Sequence, residues 1–360
     1  MTHRTIAFLL PNLGGGGAER VTLTLAKTFA ERGHEVDLVV MDRSGELVDA
    51  VPAGVRVFNL KARRVRNVVL PLVRYLRARR PDALQISMWP LTIVGIIAAG
   101  LSRTSLRLVV SDHAILSDHY RRRLHPIIRT TIRIFYPKAD ARVTVSAGAA
   151  RDLVRLSGLP LTSFEVIHNP VEFPTDLERS DAAIALWGRA SKRVLAVGQL
   201  KPEKNHEFLI RAFAQLPASL NAKLLIVGTG ALQPQLAALA EMEGVGGDVI
   251  FAGYVADPWP LYAAADLFVL SSREESFANV LVEALYAGLP IVSTSTIGAT
   301  NVLEGGKYGR IVASEDVSAL AAAMASELGE RRDTSSFRKR ALQLSGSGSA
   351  DAYLSLLLPK

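Results

Sequence analysis

The chain has 360 residues, of which 49% are hydrophobic, and it carries a formal net charge of +8. This length exceeds one ordinary hydrophobic core and predicts two domains. The sequence contains 0 Cys, which excludes disulfides, Cys-ligated zinc, iron–sulfur clusters and a thiol nucleophile. A reducing cytosol fits this composition without being required by it.

The charge is distributed unevenly along the chain. Residues 1–180 hold 26 Lys and Arg against 16 Asp and Glu, whereas residues 181–360 hold 16 against 18. The first half therefore carries the whole basic excess. Two interpretations stay open: a solvated Arg-rich surface, or attraction to anionic lipid or a pyrophosphate-bearing acceptor. Nucleic acid is disfavoured, because the basic stretches lack interleaved aromatic residues and a nucleic-acid motif.

Neither a secretion signal nor a membrane span is predicted. The apolar run from Ile6 to Leu10 is short and is closed by Pro11, while a signal peptide needs a longer apolar core and a cleavage site. The longest apolar stretch elsewhere, Leu91 to Leu101, is about half of the roughly 20 residues that span a bilayer. We therefore expect a cytoplasmic protein, and peripheral contact with the inner face of the cell membrane stays open.

Strand-like and helix-like segments alternate along the chain. In the first half, apolar runs predict strands over 5–10, 36–41, 83–87, 106–111 and 142–146, with a helix over 18–32. The second half restarts the pattern, with strands over 193–197, 223–227, 249–251, 267–270 and 291–293, and helices over 205–215 and 233–242. Alternating βα units indicate parallel sheets covered on both faces.

The expected fold class is α/β, with two Rossmann-like domains facing each other across a cleft. The predicted boundaries are 1–172 for the first domain, 173–192 for a polar linker that contains Pro174, and 193–345 for the second domain. The apolar terminal segment, 346–360, is expected to pack back on the first domain. Sheets of this kind bind ligands at the carboxyl ends of their strands.

A glycine-rich loop joins the first predicted strand to the first predicted helix. Four consecutive residues form it: Gly14, Gly15, Gly16 and Gly17. Glycines let backbone N–H groups approach a phosphate or a sugar, and a helix N-terminus favours an anion, so these residues are a candidate phosphate or acceptor loop. Two alternatives stay open: a structural tight turn, and a dinucleotide fingerprint. In that fingerprint Glu19 replaces the last glycine, and Asp42 would be the ribose acid.

The strongest functional pattern pairs Glu275 with Glu283. Residues 271–277 form a polar loop after a strand, 278–287 a helix, and Gly288-Leu289-Pro290 its stop. Two carboxylates so placed can accept hydrogen bonds from hydroxyls at two points of one ligand, while helix N–H groups bind its phosphate. A solvated helix face is the alternative, but an idle carboxylate in this apolar segment is costly.

This stretch resembles the Glu-x7-Glu signature of retaining family 4 glycosyltransferases, which have the GT-B fold. Residues 251–254 resemble the family's base-recognition loop, residues 261–266 the helix before the signature strand, and residues 298–304 the loop after the signature. The resemblance covers nearly the whole chain. It implies that the first domain binds an acceptor and the second binds a nucleotide-diphosphate sugar.

The resemblance also implies residue roles at the donor site. Glu283 would bind the donor ribose, and Glu275 would contact hydroxyls of the transferred sugar. Backbone N–H groups at the helix start would bind the diphosphate, and a loop after an earlier strand would lie beside the base. These two sets are Asn279 and Val280, preceded by Ser276, Phe277 and Ala278, for the diphosphate, and Tyr254 and Val255 for the base.

In similar enzymes a Gly-Arg-Leu-x4-Lys pattern supplies positive charge to the leaving diphosphate. Here Lys204 matches the Lys, but Gln199 stands at the Arg position, which removes a bidentate cation. Lys201 and Arg273 are both candidates to replace it. Because of this departure, the strength of catalysis stays open. The prediction of the donor site is unaffected.

Ser111-Asp112-His113 follows a predicted strand of the first domain. It resembles the place where family members set a His beside the reacting sugar. His113 is therefore a candidate catalytic residue together with Glu275 and Lys204, and a structural histidine is the alternative.

The implied reaction separates the donor's anomeric carbon from a nucleoside diphosphate through an oxocarbenium-like state. Lys204 and helix-end N–H groups can neutralise the phosphates without a metal, and the sequence contains no Asp-x-Asp motif. We expect no cofactor and no metal site. Retention is implied by the resemblance alone, and a same-face mechanism within an ion pair is our hypothesis.

A basic and apolar segment, residues 119–138, is the candidate acceptor-side element. Arg122, Arg129 and Arg133 recur near helical spacing, with apolar residues between them, and such a segment can rest on anionic lipid. Similar enzymes that extend lipid-linked oligosaccharides place cationic helices near the acceptor pyrophosphate. A polyprenyl-diphosphate-linked saccharide and a soluble acceptor both stay open.

Other functions remain to be weighed against the transferase. They are a GT-B nucleotide-sugar enzyme of epimerase or phosphorylase type, a non-catalytic nucleotide-sugar sensor, and an oxidoreductase, which the broken glycine fingerprint disfavours. A phosphorylase would need a pyridoxal-bearing Lys and a longer chain. UDP-N-acetylhexosamine is the favoured donor, because the resemblance is closest to enzymes of bacterial surface-glycan assembly.

Overall fold

The computed structural model describes residues 3–120, 124–329, 333–346 and 348–359. The chain divides into two compact units, Met1–Pro170 with Gly346–Lys360, and Val171–Ser345. Each unit is a parallel sheet with its connecting helices. The predicted α/β class with two Rossmann-like domains is confirmed.

The first unit contains a sheet of seven strands. They are β1 (Thr5–Leu10), β2 (Glu35–Val40), β3 (Val55–Asn59), β4 (Ala83–Ser87), β5 (Arg107–Asp112), β6 (Ala141–Thr144) and β7 (Glu165–Val166). The helices between them are α1 (Gly17–Glu31), α2 (Val69–Arg79), α3 (Leu91–Ser102), α4 (Leu116–His119), α5 (His125–Phe135) and α6 (Ala147–Ser157).

The strand order in this sheet is β3-β2-β1-β4-β5-β6-β7, and every pair is parallel. In the register, Ile6 of β1 lies opposite Val36 of β2 and Ala83 of β4. The central strands are runs of apolar residues because helices cover both faces of the sheet. Leu9 and Ile86 belong to the core on one of these faces.

The second unit contains a sheet of six strands. They are β8 (Lys192–Val197), β9 (Ala222–Val227), β10 (Val249–Gly253), β11 (Leu267–Leu270), β12 (Ile291–Thr294) and β13 (Arg310–Val312). The helices are α7 (Asp181–Ala185), α8 (His206–Phe213), α9 (Gln233–Met242), α10 (Trp259–Ala264), α11 (Asn279–Tyr286), α12 (Ile297–Val302), α13 (Val317–Gly329) and α14 (Phe337–Leu344). The strand order is β10-β9-β8-β11-β12-β13, again parallel throughout.

The last helix, α15 (Ser349–Leu357), belongs to the first unit. Its Tyr353 and Leu357 are fully buried, and Arg107 at the start of β5 donates a hydrogen bond to the carbonyl of Leu356 at 2.9 Å. Helix α15 is therefore part of the first unit, although it follows the second unit in the chain.

The segment that we predicted as a linker, 173–192, lies inside the second unit. It contains α7 and Trp187. The Trp187 side chain is fully buried, and its indole N–H donates to the carbonyl of Val194. The segment is mostly polar, so its composition suggested a linker and did not predict these few buried contacts. The chain passes between the units at Pro170 and again at Ser345.

Candidate active site

The strand order of the second sheet determines which loops can meet. From β8 the chain proceeds outward on one side to β9 and β10, and then returns to β11 on the other side of β8. The loops after β8 and β11 therefore leave neighbouring strand ends at the carboxyl edge, where open α/β sheets bind ligands. The first loop carries Lys204, and the second carries Glu275.

Lys204 and Glu275 form a direct ion pair. The distance between Lys204 Nζ and Glu275 Oε1 is 2.5 Å, and the two side chains are 21% and 11% exposed. Ser272 Oγ donates to the same carboxylate oxygen at 2.8 Å. The structure thus brings together two of the three predicted catalytic residues and fixes the carboxylate before any ligand arrives.

Backbone contacts clamp the two loops together. Ser271 Oγ donates to the carbonyl of Lys204 at 2.9 Å, and the Arg273 backbone N–H donates to the carbonyl of Glu203 at 2.8 Å. The Arg273 guanidinium also donates to the carbonyl of Pro202 at 3.1 Å. Arg273, one of two candidates for the missing cation, is therefore used to brace the loop that carries Lys204.

Two glycines allow the loop that contains Gln199 to approach β9 closely. A Cβ on Gly228 would lie 2.1 Å from the carbonyl oxygen of Gly198, and one on Gly230 would lie 2.3 Å from that of Leu200. Gly228 also has φ +139, which disfavours other residues. Gln199 is half-buried at the turn that these glycines support.

Helix α11 and the residues before it are where the sequence predicts the diphosphate contacts. Asn279 is its first residue, and its N-cap residue, Ala278, makes no side-chain cap hydrogen bond. The first N–H groups of an α-helix lack partners within the helix and carry the positive end of its dipole. The side chains of Ser276, Phe277 and Ala278 are buried, so these residues can offer a ligand backbone groups only.

Glu283 is the fifth of the eight residues of α11 and is half-buried. Its Oε2 accepts a hydrogen bond from the hydroxyl of Tyr262 at 2.6 Å. Tyr254 and Val255 are half-buried and directly follow β10. They therefore leave the sheet at its carboxyl edge, as do the loops that carry Lys204 and Glu275. The Gly228 N–H donates to the carbonyl of Gly253 at 2.8 Å and holds this strand end beside β9.

His206 is a polar residue of this region that the sequence reasoning missed. It begins α8, is 5% exposed, and interacts with the backbone of Gly198 and Gln199. Burial, together with the charge of Lys204, lowers the pKa of His206 to about 4. The ring is thus neutral at physiological pH. A histidine two positions after Lys204 was the available signal.

In the first unit, His113 follows β5 directly and is half-buried. Ser111 Oγ lies 3.0 Å from His113 Nε2, and the Asn169 side chain also interacts with the ring. Burial lowers the pKa of His113 to about 4. A neutral imidazole can donate one hydrogen bond and accept another, which suits contact with sugar hydroxyls.

The glycine loop leaves β1 at the carboxyl edge of the first sheet. Gly16 is the N-cap of α1, and the Gly14 N–H donates to Asn12 Oδ1 at 3.0 Å. A Cβ on Gly16 would lie 2.5 Å from Glu19 Oε2, so the carboxylate lies over the loop. Its charge works against a phosphate at this helix N-terminus and favours hydroxyl groups.

The predicted acceptor-side segment contains α5. Ile128 and Ile132 of this helix are buried, whereas Ile127 is 53% and Ile134 51% exposed. Arg129 and Arg133 are also exposed, so the outer face combines cationic and apolar side chains. Arg122 lies outside the described residues. None of the helices in the described ranges combines the length and apolarity that a bilayer crossing requires.

Across the described part of the chain, we find no cluster of three or more His, Cys, Asp or Glu side chains placed to ligate a metal ion. Metal independence stays a prediction.

Two family models match the chain. Residues 15–173 match the model described as Glycosyltransferase Family 4, and residues 191–329 match that described as Glycosyl transferases group 1. The structure of HepE from Anabaena in complex with UDP and glucose is 25% identical, with a TM-score of 0.76, and the match covers 99% of this chain and 95% of that one.

Two curated relatives span most of the chain. The N-acetylgalactosamine-N,N'-diacetylbacillosaminyl-diphospho-undecaprenol 4-alpha-N-acetylgalactosaminyltransferase of Campylobacter jejuni is 28% identical over 319 residues, which is 85% of each chain. The lipopolysaccharide core biosynthesis glycosyltransferase LpsE of Rhizobium meliloti is 28% identical over 357 residues, 96% of each chain.

The Lys204–Glu275 pair should be energetically coupled. Replacing Lys204 by Met leaves a shielded carboxylate without its cation, so we expect a loss of about 1–3 kcal/mol in the free energy of unfolding. Adding Glu275→Gln should recover much of it. Urea denaturation of the wild type, both single variants and the double variant measures the coupling.

The exposed pair Arg211–Glu207, one turn apart on α8, is the matched control for this cycle, and a smaller coupling is expected there. Additive effects of the Lys204 and Glu275 substitutions would contradict the ion pair.

The low pKa of His113 predicts a pH dependence of stability. In the folded chain the ring stays neutral down to about pH 4, whereas an unfolded histidine is protonated below about pH 6.5. Stability should therefore fall as the pH is lowered from 7 to 5, by about 1–2 kcal/mol from this residue. His113→Asn should lack this contribution, which thermal melts at both pH values measure.

The same substitution at exposed His119 controls for the general effect of replacing a histidine. Equal pH dependence in the wild type and His113→Asn would show that His113 is not shielded from protonation.

Proposed function

We propose a specific reaction for this chain, which belongs to the family 4 glycosyltransferases and has the GT-B fold. It transfers an N-acetylhexosamine from a UDP-sugar to a glycan carried on a polyprenyl diphosphate, with retention at the anomeric carbon. The observation that carries this proposal is the Lys204–Glu275 pair beside the start of a helix that also bears Glu283.

The donor contacts follow from the chemistry of these groups. The bond between the anomeric carbon and the diphosphate oxygen breaks, and the departing nucleoside diphosphate takes the electron pair. Lys204 and the N–H groups of Asn279 and Val280 stabilise the negative charge that develops there. Glu275, held by Ser272, accepts hydrogen bonds from hydroxyls of the transferred sugar, and Glu283 accepts them from the ribose.

The acceptor oxygen attacks the same face of the sugar within the ion pair, and its proton passes to an oxygen of the departing diphosphate. This step needs no protein nucleophile. His113 is neutral at physiological pH, since burial keeps its pKa at about 4, so it can bind a sugar hydroxyl without adding positive charge. The reaction proceeds without a metal or cofactor.

The choice of donor and acceptor rests on the relatives. The Anabaena structure contains UDP and glucose, which supports a uridine nucleotide. The name of the Campylobacter jejuni enzyme specifies an N-acetylgalactosaminyl group and a diphospho-undecaprenol acceptor. The exposed basic and apolar face of α5 supports an acceptor held at an anionic membrane surface. We propose that the protein acts peripherally on the cytoplasmic face of that membrane.

Nucleotide release tests the transfer. With UDP-N-acetylhexosamine, a polyprenyl-diphosphate saccharide and EDTA, we expect UDP formation by the wild type. Glu283→Ala should lower kcat/KM about 100-fold or more and abolish the donor-induced rise in melting temperature, because the ribose contact is lost while the fold remains. A coupled UDP assay and thermal shift measure the two effects.

Exposed Glu207→Ala, on α8 of the same unit, is the control substitution. Binding without turnover would indicate a sensor, and loss of activity in EDTA would overturn metal independence. An inverted anomeric configuration in the product, read by NMR, would refute retention.

The α5 face predicts salt-sensitive binding to anionic vesicles. The wild type should float with vesicles of phosphatidylcholine and phosphatidylglycerol, and not with phosphatidylcholine alone. Arg129→Glu with Arg133→Glu should weaken this binding tenfold or more, since each basic residue near the surface contributes about 1 kcal/mol. Arg189→Glu with Lys339→Glu, which changes the net charge equally at exposed sites of the second unit, should not weaken it. No flotation of the wild type would refute the membrane contact.

A further inference from the structure

Tyr262 is a buried residue that has no direct part in the proposed donor chemistry. It lies on α10 and is 0% exposed, while its hydroxyl donates to Glu283 Oε2 at 2.6 Å. The short distance and the charged acceptor are typical of a strong hydrogen bond. The two residues belong to the same unit, and the contact joins α10 to α11.

The Tyr262 ring is held rigidly by its aromatic neighbours. It stacks on Phe268 of β11, with ring centroids 5.6 Å apart and planes at 29°, and it lies 5.6 Å from the ring of Trp259. Trp259 in turn contacts Tyr286, which stacks on Phe173 at 4.0 Å. Packing in this cluster restricts the directions that the phenol can take.

The hydrogen bond therefore restricts a flexible acid. A Glu side chain has several rotatable bonds and loses rotamer entropy when it binds a ligand. Because one carboxylate oxygen of Glu283 is already tied to a rigid donor, much of that loss has occurred before the ligand arrives. A carboxylate offers about four acceptor sites, and the tyrosine hydroxyl takes one, so its presence is compatible with ligand hydroxyls on the same group.

We propose that Tyr262 is a positioning residue, which orients Glu283 to receive the ribose hydroxyls of the nucleotide donor. This inference rests on the proposed function, since it assumes that Glu283 contacts the ribose. It adds that donor affinity depends on a residue that does not itself touch the ligand.

The test separates positioning from packing by varying the ligand as well as the protein. Isothermal titration calorimetry is carried out on the full-length wild type and Tyr262→Phe, with UDP and with 2′,3′-dideoxy-UDP. We expect Tyr262→Phe to weaken UDP binding about tenfold, as for loss of a hydrogen bond to a charged group. Tyr262→Phe should change the affinity for the dideoxy nucleotide less than twofold, because this nucleotide lacks the ribose hydroxyls that donate to Glu283.

Two variants complete the design. Tyr286→Phe removes another hydroxyl from the same aromatic cluster, one that donates to the carbonyl of Pro174, and should leave both affinities unchanged. Tyr262→Phe combined with Glu283→Ala should bind UDP no more weakly than Glu283→Ala alone. In steady-state assays Tyr262→Phe should raise the KM for the donor and leave kcat nearly unchanged.

Failure of the positioning role and failure of the proposed function would give different results. Equal weakening of both nucleotides by Tyr262→Phe, or no weakening of either, would overturn the positioning role while leaving the proposed function intact. Wild-type protein that binds neither UDP nor the UDP-sugar would overturn the proposed donor, and the positioning role with it.

Discussion

One ammonium–carboxylate contact joins the two loops from which the candidate site is built. Lys204 follows β8 and Glu275 follows β11, and the two side chains meet at 2.5 Å because these strands are neighbours at the point where the strand order reverses. On its other side the Glu275 loop is held by α12, where the Gly298 N–H donates to the Glu275 carbonyl at 2.7 Å. The carboxylate is thus fixed by backbone on one side and by charge on the other.

Most of the fold could be predicted from the sequence because the central strands are uninterrupted apolar runs. The predicted strand over 5–10 is β1, and the helix over 233–242 is α9, with the same ends. The three strands that were missed, β3, β7 and β13, all lie at sheet edges. Edge strands are short and half-solvated, so β3 has only exposed and partly buried residues and lacks the pattern of a buried strand.

The candidate site was predictable to the extent that it is local in sequence. Glu275 and Glu283 lie in one loop–helix segment, so their spacing gives their placement. The contacts that orient them come from elsewhere: Tyr262 reaches Glu283 from a helix before β11, and His206 lies against the turn of Gln199. Such contacts depend on side-chain direction after packing. Likewise, a motif made of glycines alone does not predict that the Glu19 carboxylate lies over the glycine loop.

Helix α15 makes the order of synthesis matter for this chain. The first unit lacks Tyr353 and Leu357 until α15 leaves the ribosome, and by then all of 171–345 has emerged. The second unit can therefore reach its native state first, although it is encoded later. During that interval the part of β4 and β5 that α15 contacts in the folded chain stays uncovered. For this chain, translation pausing before residues 349–357 are made would prolong that interval.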